Sequence, residues 1–461
     1  MQNTTPEEIR EIIARQKNYF RTGATLDIEF RKRMLKRLQQ ALQAWEERLT
    51  EALWQDLHKC KEEAYLTELG ILNGEIKVHL KNIGKWASKE KVKSSMAVFP
   101  SRSYITKEPL GTALIISPWN YPVQLLLNPL IGAISAGCTT VLKPSPYVPA
   151  VSETIAKMIA ETFNPEYVAL VQGNRDVNQE LLQQRWDMIF FTGSPDLGKT
   201  VMEAASKNLT PVVLELGGKS PCIIDRTADI QLAARRIAWG KTLNSGQTCI
   251  APDYLILHNQ VKDEFIKAFA QEVKALHGDD IFKSPHYVHM VNSKAFNRVS
   301  SYLNQGKILY GGRTDAATLC IEPTIMECSS TDIPAMQEEI FGPVFPTIII
   351  DNENFISKAT SFIVKREKPL ALYFFGKEND GWEIIRKTSS GGGCINDVVM
   401  HIANGNMPFG GVGNSGMGRY HHRHSFECFT HSRSILVTPN WPDMPFRYMP
   451  YKFFKWVKRI M

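Results

Sequence analysis

The sequence predicts an α/β protein organised around a parallel, doubly wound sheet. From about residue 111, short β-branched runs alternate with helical segments, as they do when each strand crosses over through a helix to a parallel neighbour. A second alternating block follows Cys249, so two such units are expected. Hydrophobic residues make up 43% and charged residues 22%, which excludes a disordered chain, a collagen or a coiled coil. A length of 461 residues corresponds to about three structural units and buries enough surface to fold without disulfides.

Taken in order, the segment from Pro6 to Lys89 interleaves charged and apolar residues at three- and four-residue spacing, which predicts helix. The expected strands of the first unit are AlaLeuIleIle (113–116), ThrValLeu (140–142), TyrValAlaLeuVal (167–171), MetIlePhePhe (188–191) and ProValValLeuGlu (211–215). In the second unit they are AspTyrLeuIleLeu (253–257) and PheProThrIleIleIle (345–350). Pro109 to Leu142 carries no charge and is long enough to span a bilayer. Asn120, Gln124, Asn128 and three prolines interrupt it, so it reads as a buried strand, a loop, a helix and a second strand.

The net charge of +7 does not predict a nucleic-acid partner. The last fifteen residues hold Arg447, Lys452, Lys455, Lys458 and Arg459 without an acid, which leaves the rest of the chain near neutrality. Within that tail Phe453, Trp456, Val457 and Ile460 recur at helical spacing opposite the lysines. A basic amphipathic helix of this kind lies on anionic membrane surfaces, or else caps its own subunit or a partner. The eight cysteines are scattered with no CxxC, so neither a disulfide framework nor a zinc site is expected, and no metal is assigned. No signal peptide is visible, and a cytoplasmic location is expected, with peripheral contact at the inner membrane surface through the tail.

Two glycine motifs compete for attention. GlySerProAspLeuGlyLysThr (193–200) matches the phosphate-cradling P-loop, with Lys199 to reach phosphate oxygens and Asp351 as a magnesium-side acid. That reading leaves the rest of the chain unexplained. GlyValGlyAsnSerGly (411–416) matches G-x-G-x-x-G but follows MetProPheGly instead of a β-branched strand, so a structural glycine loop is expected.

Three residues could carry chemistry. Cys249 ends the small, polar run AsnSerGlyGlnThrCys (244–249), where a thiolate would find donors, although a packed core cysteine is also compatible. Glu215 closes a ValValLeu strand beside two glycines, placed either for base work in a cleft or to pair with Lys219. Asn120 lies between two prolines in ProTrpAsnTyrPro (118–122), where a rigid amide can donate to a developing oxyanion or simply complete a turn.

Together these segments resemble the NAD(P)-dependent aldehyde dehydrogenase superfamily, within it the class 3 branch. The resemblance runs from roughly Glu8 to Pro439. Beside the segments already quoted it rests on LysProSer (143–145), PhePheThrGlySer (190–194), LeuGluLeuGlyGlyLysSerPro (214–221) and GluGluIlePheGlyPro (338–343). AlaProAspTyr (251–254) and GlyAsnSerGlyMetGlyArgTyrHis (413–421) point to class 3. The resemblance implies the aldehyde dehydrogenase fold: a Rossmann-like cofactor domain (1–92 and 110–214), an α/β catalytic domain (215–425), and bridging strands for oligomerisation (93–109 and 426–445) before the tail at 446–461.

It further implies oxidation of medium- or long-chain aliphatic or aromatic aldehydes by a homodimer using NAD or NADP. Cys249 would be the nucleophile, Asn120 the oxyanion donor and Glu215 the base that activates water for thioester hydrolysis. Trp119, Lys143, Ser145, Gly193, Ser194, Gly198, Glu339 and Phe341 would contact the cofactor. Members that favour NAD commonly carry Glu three positions after the lysine; this chain has Pro146 there, which implies use of both cofactors. His401 also fits class 3, where it would sit on a mobile loop near the active-site mouth, but a packed or surface histidine is the preferred reading. An acylating or thioester-forming relative and an inactive binding scaffold on the same fold are the alternatives.

Overall fold

Helices come first because their caps and apolar stripes demand them. In a computed structural model, which describes residues 2–351 and 353–460, Thr5 and Glu8 cap the helix Pro6–Arg21 reciprocally, each side chain accepting the other's backbone N–H. Asp27 accepts from Glu29 and Phe30 to start the 30-residue helix Ile28–Leu57. Its Leu35, Leu38, Leu42, Trp45, Leu49 and Leu53 recur every three or four residues and are buried. A short helix Lys61–Ala64 and a wide π turn Tyr65–Leu69 lead into the helix Gly70–Trp86.

Two sheets organise the rest. The first runs in the order Val168–Leu170, Thr139–Lys143, Thr112–Ile116, Met188–Gly193, Val212–Leu216, Gly416–Met417, all parallel except the last. The second has seven strands: Lys307–Tyr310, Thr324–Glu327, Val344–Ile350, Tyr254–His258, Pro221–Ile224, Ala371–Phe375 and Gly392–Ile395. Both are covered by helices, and the central strands of each are buried on both faces. Glu90–Val92, Arg102–Pro109 and Thr430–Val437 form a separate antiparallel sheet.

All seven expected strands form, within one or two residues of their predicted ends. The boundary expected between 214 and 215 falls inside the strand Val212–Leu216, and Gly416–Met417 returns to pair with Leu214 and Glu215. The units therefore interlock, because a sheet edge recruits whichever backbone lies beside it. Pro109 to Leu142 folds as the expected strand, loop, helix (Gln124–Ala136) and strand. No helix among the described residues is long and apolar enough to cross a membrane.

The P-loop reading fails on topology. Lys199 points to solvent and faces Asp196 at 3.6 Å, while Asp351 follows a strand of the other sheet. The second glycine motif is a tight turn, where a Cβ on Gly411 would stand 2.0 Å from the Ser415 carbonyl oxygen. It delivers Gly416 to the strand that carries Glu215.

Candidate active site

The parallel strands of the first sheet all end on one side, and the candidate residues gather there. Register places Ile116 beside Lys143 and Phe191, and Thr192 beside Glu215. The loop with Trp119 and Asn120, the Lys143–Ser145 turn, the Gly193–Ser194 turn and Glu215 therefore share the carboxyl edge, the position at which open α/β sheets bind ligands.

Cys249 comes from the second unit on a loop of unusual backbone. Asn244 and Ser245 both have φ of +50°, in the left-handed region, held by a dense set of hydrogen bonds. The Asn244 amide donates to the carbonyls of Asn120 (2.9 Å) and Gln247 (3.0 Å). Asn120 Nδ2 donates to the Gln247 carbonyl at 2.9 Å, so Asn120 and the cysteine loop are fastened directly together. Tyr121 and Thr248 hydroxyls meet at 2.6 Å.

Behind Asn120 lies a fully buried ion pair, Lys59 with Glu68 at 2.7 Å. Lys59 also donates to the Asn120 carbonyl, and Glu68 accepts the Val123 and Gln124 N–H groups. Glu63 accepts the Asn244 N–H at 2.9 Å, and burial pushes its carboxyl up to about 7. Neither Lys59, Glu63 nor Glu68 stands out in the sequence, since each is one charge among many in a helical stretch. Asn244 and Gln247 sat inside a quoted motif, but their role as ties needed the folded loop.

The electrostatics favour neutral acids. Glu215 is buried, and neither carboxyl oxygen has a hydrogen-bond partner within the protein, so desolvation raises it well above the ordinary carboxylate range. It does not pair with Lys219, which binds Asp253 at 2.5 Å and the Glu338 carbonyl instead. Glu339 is pushed up to about 8, first by burial and then by Asp253, against the opposing Gly218 N–H, Lys219 and Arg298. Gly217 leaves room for its carboxylate: a Cβ there would stand 2.1 Å from Glu339 Oε2, so the Glu339 head would have to swing aside. Cys249 keeps partial exposure, yet the protein around its sulfur, then Glu339 and Glu215, push the thiol up to about 12.

The turns along the same carboxyl edge fit a dinucleotide. Ser194 caps the helix Pro195–Ser206 without a side-chain hydrogen bond, so its first turn receives no acceptor from the cap, and a helix N-terminus of this kind suits a pyrophosphate. Gly198 lets that helix press on the sheet: a Cβ there would meet Leu216 at 2.7 Å, as one on Gly193 would meet Phe191 at 2.5 Å. Trp119 packs edge-on against Phe341, centroids 5.4 Å apart, and Phe341 has φ of +49°. Lys143 is buried with Nζ on the Pro144 carbonyl at 2.8 Å, and burial lowers it to about 8. The Ser145 hydroxyl accepts the Tyr147 N–H at 3.3 Å. A nicotinamide dinucleotide bound here would supply a hydride acceptor.

The description of the aldehyde dehydrogenase family matches residues 1–435. The chain belongs to that family. It is 46% identical over 446 residues to 4,4'-diaponeurosporen-aldehyde dehydrogenase of Staphylococcus aureus, covering 96% of each chain. It is 41% identical to the dimeric NADP-preferring aldehyde dehydrogenase of Canis lupus familiaris, covering 96% of this chain and 98% of the relative. A solved structure described as the substrate-bound state of Staphylococcus aureus AldH superposes with a TM-score of 0.96 at 44% identity, over 98% and 99% of the two chains. As an aldehyde dehydrogenase this chain is an oxidoreductase that converts aldehydes to carboxylic acids with NAD or NADP.

In this aldehyde dehydrogenase His401 is a packed residue. Its ring stacks on Phe409, Nδ1 lies 3.6 Å from Cys394 Sγ, and burial lowers it to about 4. Tyr373 connects this patch to the cysteine loop, donating its hydroxyl to the Ile250 carbonyl.

Proposed function

We propose that Cys249 attacks the aldehyde carbon, that Asn120 and the Cys249 backbone N–H hold the oxyanion, and that Glu215 activates the water that hydrolyses the thioester. The observation that carries this is the direct tie between Asn120 and the cysteine loop, with an unpartnered buried carboxylic acid opposite. One Asn120 N–H is spent on Gln247, which sets the amide plane and leaves the second for substrate oxygen. Lys59 holds the carbonyl of the same residue, so the donor is braced from both sides.

The substrates are medium- or long-chain aliphatic or aromatic aldehydes, a reading supported by a relative named for 4,4'-diaponeurosporen-aldehyde. With Pro146 in place of an acidic side chain, that position offers neither a carboxylate partner for a 2′-hydroxyl nor a repulsion against a 2′-phosphate, so both cofactors serve. The expected result is absorbance growth at 340 nm with both NAD and NADP across a panel from propanal to hexadecanal plus benzaldehyde. A strict preference for NAD would count against the role given to Pro146. Turnover only with coenzyme A present would replace this reading with that of an acylating enzyme.

The chain forms a homodimer through its antiparallel sheet. Thr430–Val437 is an open edge strand with exposed Ile435, Leu436 and Val437, a feature that invites strand pairing, and the canine relative is named as dimeric. The tail works on the cytoplasmic side as a peripheral membrane contact. Phe454–Ile460 is helical, and Phe453, Phe454 and Trp456 are exposed beside Lys452, Lys455, Lys458 and Arg459. The side chains of Val457 and Ile460 lie outside the described residues. Phe446 stacks on Trp456 at 4.9 Å, so part of the aromatic surface also packs on itself. Deleting 447–461 is expected to abolish sedimentation with anionic liposomes; unchanged binding would sink the contact.

A further inference from the structure

Away from the cleft, Cys60, Glu62 and His286 bring a sulfur, a carboxylate oxygen and an imidazole nitrogen within 4.8 Å of one another. Cys60 is buried at the base, while Glu62 and His286 are exposed above it. The two segments that carry them are fastened before any ligand arrives. The His289 N–H donates to the Leu57 carbonyl at 3.0 Å, and the His58 and His289 rings stack with centroids 3.8 Å apart. The three donors therefore converge on a backbone already held, with solvent access from one side.

We propose that Cys60, Glu62 and His286 form a binding site for a divalent transition metal of the zinc class. Thiolate, imidazole and carboxylate together make a donor set for zinc or cobalt, and do not suit magnesium or calcium, which take oxygen. Binding forms a metal–sulfur bond and releases the Cys60 proton to solvent, with no change of oxidation state. Three protein donors leave a coordination position for water, so the ion exchanges with solution.

The location gives the site a consequence. Glu63, next to Glu62, accepts the Asn244 N–H, and the 286–291 segment grips the same loop from its other side. Gln247 Nε2 donates to the His289 carbonyl at 3.0 Å, its Oε1 accepts the Val291 N–H at 3.0 Å, and the Ser245 hydroxyl donates to the Val288 carbonyl. An ion at Cys60 thus ties together the two walls that hold the Cys249 loop. Local sequence spacing hides this, because Cys60 and Glu62 lie in the N-terminal helical segment and His286 far along the chain in the second unit.

The test is a titration of the full-length protein with cobalt(II) in a Cys249→Ser background, which removes the catalytic thiol as a competing ligand. A thiolate-to-cobalt charge-transfer band is expected, saturating at one equivalent per chain and displaced by zinc. Adding Cys60→Ser removes the sulfur but keeps a good helix cap, and adding His286→Ala alters only an exposed side chain; both should abolish saturable binding. A band that survives either substitution places the metal elsewhere, for example at Cys394 and His401, and overturns the proposal. No band at millimolar cobalt overturns it equally.

Discussion

Replacing Cys249 with alanine is expected to lower kcat by roughly 10^4-fold or more, since removal of a covalent nucleophile leaves only binding and oxyanion stabilisation. The thiol is partly exposed and flanked by two carboxylic acids, with no basic side chain beside it among the groups that shift it. Withdrawal from water and those acids hold it up to about 12, so in the free protein it is protonated at neutral pH. Alkylation of Cys249 by iodoacetamide should therefore accelerate by up to about tenfold per pH unit between roughly pH 7 and 9, with no plateau. A plateau below about pH 8 would show a thiolate already formed and contradict this electrostatic picture. Glu339→Gln removes the larger of the two repulsions, and is expected to speed alkylation on the alkaline side, where Glu339, raised to about 8, carries its charge. Retention of aldehyde oxidation by Cys249→Ala would transfer the nucleophile's role to another residue.

Glu215→Gln is expected to separate the two halves of the reaction. The amide keeps the shape of a buried side chain whose carboxyl oxygens have no protein partner, so folding should survive. What is lost is the proton acceptor, worth about 10^2 to 10^4 in rate for general-base catalysis. The variant should produce a stoichiometric burst of reduced cofactor, then stall, with acyl mass retained on the Cys249 peptide. The pH dependence has a defined sign. Glu215 is raised well above its ordinary value by burial, so the carboxyl is neutral and inactive as a base at low pH, and hydrolysis gains as pH rises through that raised value. The rising limb should disappear in Glu215→Gln. A variant with steady-state kcat within about threefold of the parent and no burst would remove Glu215 from the hydrolytic step.

Strands buried on both faces were legible because two covering layers of helices select runs dominated by apolar side chains. Thr112–Ile116 and Tyr254–His258 are such cases. Gly392–Ile395 was not, since GlyGlyCysIle has no such signature and becomes a strand only by pairing with Ala371–Phe375. Pro221–Ile224 opens on a proline and escaped for a related reason. At the site, Cys249, Glu215 and Asn120 became candidates through a polar glycine-bearing run, a strand end ahead of two glycines and a loop between two prolines, and the family resemblance supplied their roles. Lys59 and Glu68 could not, because a buried ion pair and a solvated one look alike in a charged helix.

By itself the sequence determined the α/β class, the order of most buried strands and the residue types available for chemistry, since periodicity and local composition act over a few residues. Only the tertiary structure decided which of them meet. It set Lys219 on Asp253 instead of Glu215, separated Lys199 from Asp351, and returned Gly416 to the strand of Glu215. It also joined Asn120 to the Cys249 loop and drew Cys60 to His286. Each of these depends on sheet order and loop closure across long stretches of chain, where the partner of a polar group is chosen by burial and distance.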